Sequence, residues 1–119
     1  MKMILVLALA LTPAIHGCAT PESPQQAVFQ AKSSYAVALT AAVAYKRLPD
    51  CVGAPQPCSS APVVSQLQKA DNVAASALDA AESAVRTPGF GESIVASAVG
   101  SAKAALAAFL SITATLGAR

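Results

Sequence analysis

Hydrophobic positions follow two different patterns along this chain. Residues 3–11, MILVLALAL, are continuously apolar behind a single basic Lys2. That run is too short to cross a bilayer, which takes about 20 apolar residues, and it has the length of the apolar part of a secretory signal. Residues 1–17 therefore read as an export signal. From residue 24 onward the apolar positions instead recur every three or four residues, the period of one helix face.

Three such faces follow one another. Ser23 is placed to cap the first helix, with Pro24 at N1, where a missing N–H is harmless, and Gln26 at N3 to complete a capping box. Val28, Ala31, Tyr35, Ala38, Ala42 and Tyr45 mark its buried stripe, and Pro49 stops it after residue 48. Residues 49–60 are rich in Pro, Gly and Ser and read as a loop. Ser60 is placed to cap a second helix over 61–86, with Pro62 in its first turn. Val64, Leu67, Ala74, Leu78, Ala81 and Val85 form its stripe, while Lys69, Asp71, Asp79, Glu82 and Arg86 fall mostly elsewhere. Thr87, Pro88 and Gly89 end it. A third helix over 92–116 follows Gly91 as N-cap, with Phe90 and Val95 at hydrophobic-staple positions and Glu92 suited to the positive helix start. Its stripe is Val95, Val99, Ala102, Leu106, Phe109, Thr113 and Leu116, with Gly117 at C′. The fold class is all-α, an up-down-up three-helix bundle of helices near 24–48, 61–86 and 92–116, each about 38 Å long at 1.5 Å per residue.

Composition sharpens this picture. Of 119 residues, 29 are Ala and only 4% are aromatic, so the core must be built from small side chains. Ala favours the helix and loses no rotamer entropy on burial, but it buries little area. Helices that form readily and a fold of modest stability follow. The net charge of +2 is not gathered into a basic face, which argues against nucleic acid.

Candidate chemistry is sparse. The one histidine, His16, lies inside the signal, so the mature chain has no imidazole for a Ser-His-Asp arrangement. Ser-x-x-Lys does not occur. Asp79 and Glu82 are three apart on one helix, but Arg86 sits four beyond Glu82 in the order that favours a solvated ion pair. Gly89-Phe90-Gly91 lacks the third glycine and the preceding strand of a phosphate loop. Cys51 and Cys58 have no histidine or further cysteine beside them for zinc, and are not a Cys-x-x-Cys redox pair. In an exported chain they are expected to form a disulfide closing the 49–60 loop. No enzyme, cofactor, metal or small-molecule substrate is expected.

The residues ending the signal carry a resemblance. Ile15, His16, Gly17 and Cys18 place a branched aliphatic residue three before a cysteine and a small residue directly before it. This resembles the lipobox of bacterial lipoproteins. The resemblance covers the signal alone. It implies that Cys18 opens the mature protein, carrying a diacylglycerol thioether and an N-acyl chain such as palmitate, with residues 18–23 as a lipidated tether. Ala19 resembles the default outer-membrane sorting residue. Ordinary cleavage remains an alternative, since Gly17, Cys18 and Ala19 also satisfy a small-x-small rule and would release the chain before Thr20.

The expected function is that of a non-catalytic, membrane-anchored periplasmic lipoprotein: a helical spacer or protein-binding module of the cell envelope, with the bilayer and an envelope protein as partners. The chain resembles the murein lipoprotein only in being small, Ala-rich and helical; Arg119 stands where that protein has its wall-linked lysine. Two alternatives stand beside this reading. One is a phage- or prophage-encoded envelope effector in lysis or superinfection exclusion. The other is a membrane-inserting protein acting through residues 94–116, where Lys103 is the one charge and costs about 3 kcal/mol near a bilayer centre. In the anchored reading, the 49–60 loop and Arg119 share the pole distal to the tether, and Phe90 returns to the proximal pole, near lipid.

Overall fold

A computed structural model describes residues 23–116 of the protein. The signal, Cys18, Gly117 and Arg119 lie outside the described residues. The described chain is all helical apart from its connections: α1 (Pro24–Lys46), α2 (Ala61–Arg86) and α3 (Glu92–Leu116) form a three-helix bundle.

Helix α1 begins as its sequence dictates. The Ser23 hydroxyl accepts from the Gln26 N–H at 3.2 Å, and the Gln26 side chain accepts from the Ser23 N–H at 3.1 Å, a complete capping box ahead of Pro24. The helix ends at Lys46, two residues earlier than its pattern predicts. The cause lies in Pro49, whose ring disfavours helical backbone at the residue before it. The last turn tightens: the Arg47 N–H donates to the Val43 and Ala44 carbonyls and the Leu48 N–H to that of Tyr45.

Helix α2 departs from expectation at its cap. Ser60 occupies the N-cap with extended backbone, but its side chain makes no capping bond. Pro62 removes one of the two N–H groups such a side chain reaches. The Ser60 N–H is instead held by the Tyr45 hydroxyl, 3.0 Å away. Gly89, at φ 94°, makes the turn into α3, and the Gly91 carbonyl accepts from the Ile94 and Val95 N–H groups. Phe90, at the staple position of this start, is 47% exposed.

The helix order is read from two core clusters. Val28 and Ala31 of α1 meet Leu78 and Ala81 of α2 and Ala102 and Leu106 of α3. Ala38, Ala42 and Tyr45 meet Leu67, Ala74 and Phe109. Early α1 thus packs on late α2 and the middle of α3, and late α1 on earlier α2 and on Phe109 further along α3, so α2 runs antiparallel to both neighbours. Tyr35 packs against both clusters. Ala74 and Ala81 are fully buried, and the largest fully buried side chains are Phe109 and Leu78. Phe109 lies among Ala38, Ala42 and Ala74, its ring centroid 5.7 Å from that of Tyr35.

Candidate functional site at the poles of the bundle

The loop between α1 and α2 forms one pole. Cys51 and Cys58 come within disulfide-bonding distance, with Cα atoms 4.9 Å apart. Backbone bonds draw the two arms together: the Cys51 N–H donates to the Ser59 carbonyl at 3.0 Å, and the Ser59 N–H to the Pro49 carbonyl at 2.8 Å. The buried Ser59 hydroxyl donates to the Leu48 carbonyl at 3.0 Å. Gly53 takes φ 77° at the outer bend, a left-handed conformation that suits a residue without Cβ. The cysteines differ in access, since Cys58 is buried and Cys51 exposed. Val52, beside Cys51, is 95% exposed at the tip.

Just below this loop, a groove of about 390 Å³ opens between α1 and α2. Leu39, Ala42, Val64 and Leu67 supply apolar lining, while Lys46 and Asp71 add one charge of each sign. The groove runs into the Tyr35–Asp71 pair, in which the Tyr35 hydroxyl donates to Asp71 Oδ1 at 2.5 Å. Burial, and then this bond to an anion, push the Tyr35 phenol up to about 12. Both act the same way: they disfavour a phenolate beside a carboxylate. As expected from the stripe, Tyr35 and Tyr45 keep their rings inward and use their hydroxyls at its edge.

The opposite half of the α1–α2 seam carries an ion triad. Glu82 bonds Lys32 across the seam and Arg86 within α2. The Lys32 ammonium, hydrogen bonded to Glu82, holds that carboxyl below its usual range against the opposing effect of partial burial, and Arg86 adds to it. Glu82 is thereby engaged as an ion-pair partner, the role that its spacing from Arg86 suggested. The link to Lys32 and the Tyr35–Asp71 bond escape sequence reasoning, because their partners lie 50 and 36 residues apart. A signal was present for one of them: in an antiparallel hairpin, residues equidistant from the centre of the 47–60 connection face one another, and Asp71 lies one residue from the position opposite Tyr35, whereas Glu82 lies nearly two turns from the position opposite Lys32.

Helix α3 is the third feature. Its buried residues are Ala102, Leu106, Phe109 and Thr113, a single narrow stripe. Among the described residues it is the one helix long and apolar enough to cross a membrane, and only 17% of its most apolar window is buried. Lys103 lies on its exposed side. Among the described residues, no group of three His, Cys, Asp or Glu side chains is arranged to hold a metal ion. Cys18, the expected lipid attachment site, lies outside the described residues. No family model, curated protein or solved structure matches the chain.

Proposed function

We propose that the protein is an exported, non-catalytic lipoprotein, held in a membrane by acylated Cys18, whose bundle is a spacer that presents its distal pole to a protein partner in the cell envelope. The observation that carries this reading is the separation of the two poles by α1. Ser23, five residues after Cys18, starts that 23-residue helix, and the cysteine-closed loop follows its other end, about 34 Å away at 1.5 Å per residue. Two or more acyl chains make membrane attachment stable, and Ala19 favours the outer membrane, with the bundle facing the periplasm. The disulfide, expected in that compartment, keeps the distal loop in one shape. The groove beside it offers an apolar floor with Lys46 and Asp71 at hand, suited to a partner side chain or helix.

The test is Cys18→Ser. Metabolic labelling with a fatty-acid probe should be lost and the protein should move from the membrane to the soluble fraction. Unchanged labelling and fractionation would remove the lipoprotein reading. A photo-crosslinking residue at Gln68, in the groove, should capture an envelope protein more efficiently than one at Ser97 on α3.

The shallow burial of α3 favours a second reading, in which α3 leaves the bundle and inserts in the bilayer. Protease protection of residues 94–116 in intact membranes would mark that state. The spacer reading predicts that this segment is cleaved once the bundle is unfolded by denaturant.

A further inference from the structure

The three acidic residues of α2 all lie towards α1. Asp71 accepts from Tyr35 and Glu82 from Lys32, and the charge of Asp79 acts on the Tyr35 phenol. The opposite edge of α2, where it meets α3, has another character. There a groove of about 470 Å³ opens along the seam, lined by Ala70 and Val73 of α2 and by Ala105, Ala108 and Ile112 of α3. Among the described residues, Lys69 is the one charged side chain that lines it. Val73 stands beside the groove and is 61% exposed.

The groove is one stretch of a longer uncharged band. On α2, Gln66, Ala70, Val73, Ala77, Ala80 and Ala84 follow one another in alternating steps of four and three. On α3, Ile94, Ala98, Ser101, Ala105, Ala108 and Ile112 do the same. Such steps average about 3.5 residues, the spacing that keeps a seam turned towards a partner helix. These rows are separate from the stripes that meet α1, such as Ala74 and Leu78 on α2 and Ala102 and Phe109 on α3. Because α2 and α3 run antiparallel, the rows lie side by side, with Val73 level with Ala105. By the same register Ile112 is level with Gln66, and Ile94, 52% exposed, with Ala84.

We infer that this band is the contact between two copies of the chain, parallel to one another about a two-fold axis along the seam, with α2 of each copy lying on α3 of the other. The four helices then form a core in which every neighbour is antiparallel, the up-down arrangement of four-helix bundles. The fit is self-complementary, as an isologous contact requires. Val73 meets Ala105 of the second copy, Ile94 meets its Ala80 and Ala84, and Ile112 its Ala70, so each larger side chain lies against methyl groups. The area is sufficient. Helices of 26 and 25 residues are about 37 Å long, and two side by side present a strip about 20 Å wide. That is about 700 Å² in each copy and about 1,400 Å² in all, against the 1,200–2,000 Å² of stable interfaces. Lys69 lays its stem on the apolar strip and keeps its ammonium in water at the rim. The inference does not depend on acylation of Cys18.

Sedimentation equilibrium of the full mature chain in a density-matched detergent tests this. The wild type should be a dimer at micromolar concentration. Val73→Glu should weaken the dimer by about a hundredfold or more, because it buries a carboxylate against methyl groups. Val37→Glu changes a valine that is 74% exposed on α1 and should leave the dimer intact. Both variants should keep the helical circular dichroism of the wild type, since both positions are exposed in a single copy. A second measurement needs no destabilising change: a photo-crosslinking residue at Ile94 should join two copies, with the linked peptide drawn from residues 80–87. A monomeric wild type, a Val73→Glu dimer of undiminished strength, or equal weakening by Val37→Glu would overturn the inference. Linkage of Ile94 to residues 112–116 would overturn the parallel arrangement in favour of an antiparallel pair. A monomer that binds phosphatidylglycerol vesicles, and loses them on Val73→Glu, would assign the band to a bilayer and overturn it. So would crosslinks from Ile94 that join only a different polypeptide.

Discussion

Truncating Phe109 to alanine should remove a large part of the stability of this protein. The ring is fully buried among Ala38, Ala42, Tyr45, Leu67 and Ala74. Phe→Ala in a core costs about 3–5 kcal/mol, depending on how far the surroundings collapse. Here collapse is restricted. Three of those neighbours are alanines on helix backbones, whose methyl groups cannot swing into the space. The tilted contact with Tyr35, at 5.7 Å between centroids, accounts for about 0.5–1.5 kcal/mol of that cost, and the restricted collapse puts the total in the upper part of the range. The expected loss is therefore about 4–5 kcal/mol. Set against about 0.05–0.15 kcal/mol per residue, or about 5–14 kcal/mol over residues 23–116, this leaves a marginal fold. At about 4–8 °C per kcal/mol for a domain of this size, the melting temperature should drop by at least about 16 °C. Urea unfolding followed by far-ultraviolet circular dichroism measures the change. Phe109→Leu, which keeps much of the volume, should lose only about 1–2 kcal/mol. A loss below about 1 kcal/mol for Phe109→Ala would refute the packing account.

Other substitutions probe other parts of the fold. Ala81→Leu, at a fully buried contact between helices, should destabilise by about 1–3 kcal/mol despite its greater hydrophobicity, because the helices must move apart; an increase in the urea midpoint would contradict this. Tyr35→Phe removes the bond to Asp71 and should lower stability by about 1 kcal/mol at neutral pH. The same variant should alter the alkaline limb. The Tyr35 phenol rises from 10.0 to about 12 on folding, so its contribution is complete below pH 10 and is lost as pH rises to about 12; wild-type stability should fall across that window more steeply than that of Tyr35→Phe. Reducing the cysteine pair, seven residues apart in sequence, should cost about 2.5 kcal/mol in the chain-entropy model, measured as a shift of the urea midpoint with a phosphine reductant.

The helices were legible in the sequence because each signal was local. Ser23, Pro24 and Gln26 specify one helix start without help from the rest of the chain, and Pro49 and Gly89 mark turns by backbone chemistry alone. Spacing also picked out most of the core, since Ala74, Leu78, Ala81, Ala102, Leu106 and Phe109 share the helical period. What escaped depends on register. Tyr35–Asp71 and Lys32–Glu82 form only when α1 and α2 meet at a particular offset, which periodicity does not set. The unmade Ser60 cap shows the same limit: the residue type was right, but Pro62 removed a donor and Tyr45, fifteen residues earlier, took over the Ser60 N–H. The exposure of Phe29 was legible as well, since it falls off the stripe of Val28, Ala31 and Tyr35.

The anchored-spacer account is tested most directly by the intact mass of the protein isolated from its native membrane without reduction. The account predicts a chain that begins at Cys18, heavier than the polypeptide by a diacylglycerol and one further acyl chain, and lighter by two hydrogens for the bond between Cys51 and Cys58. A chain that begins at Thr20 without lipid, or that retains Met1, would contradict it.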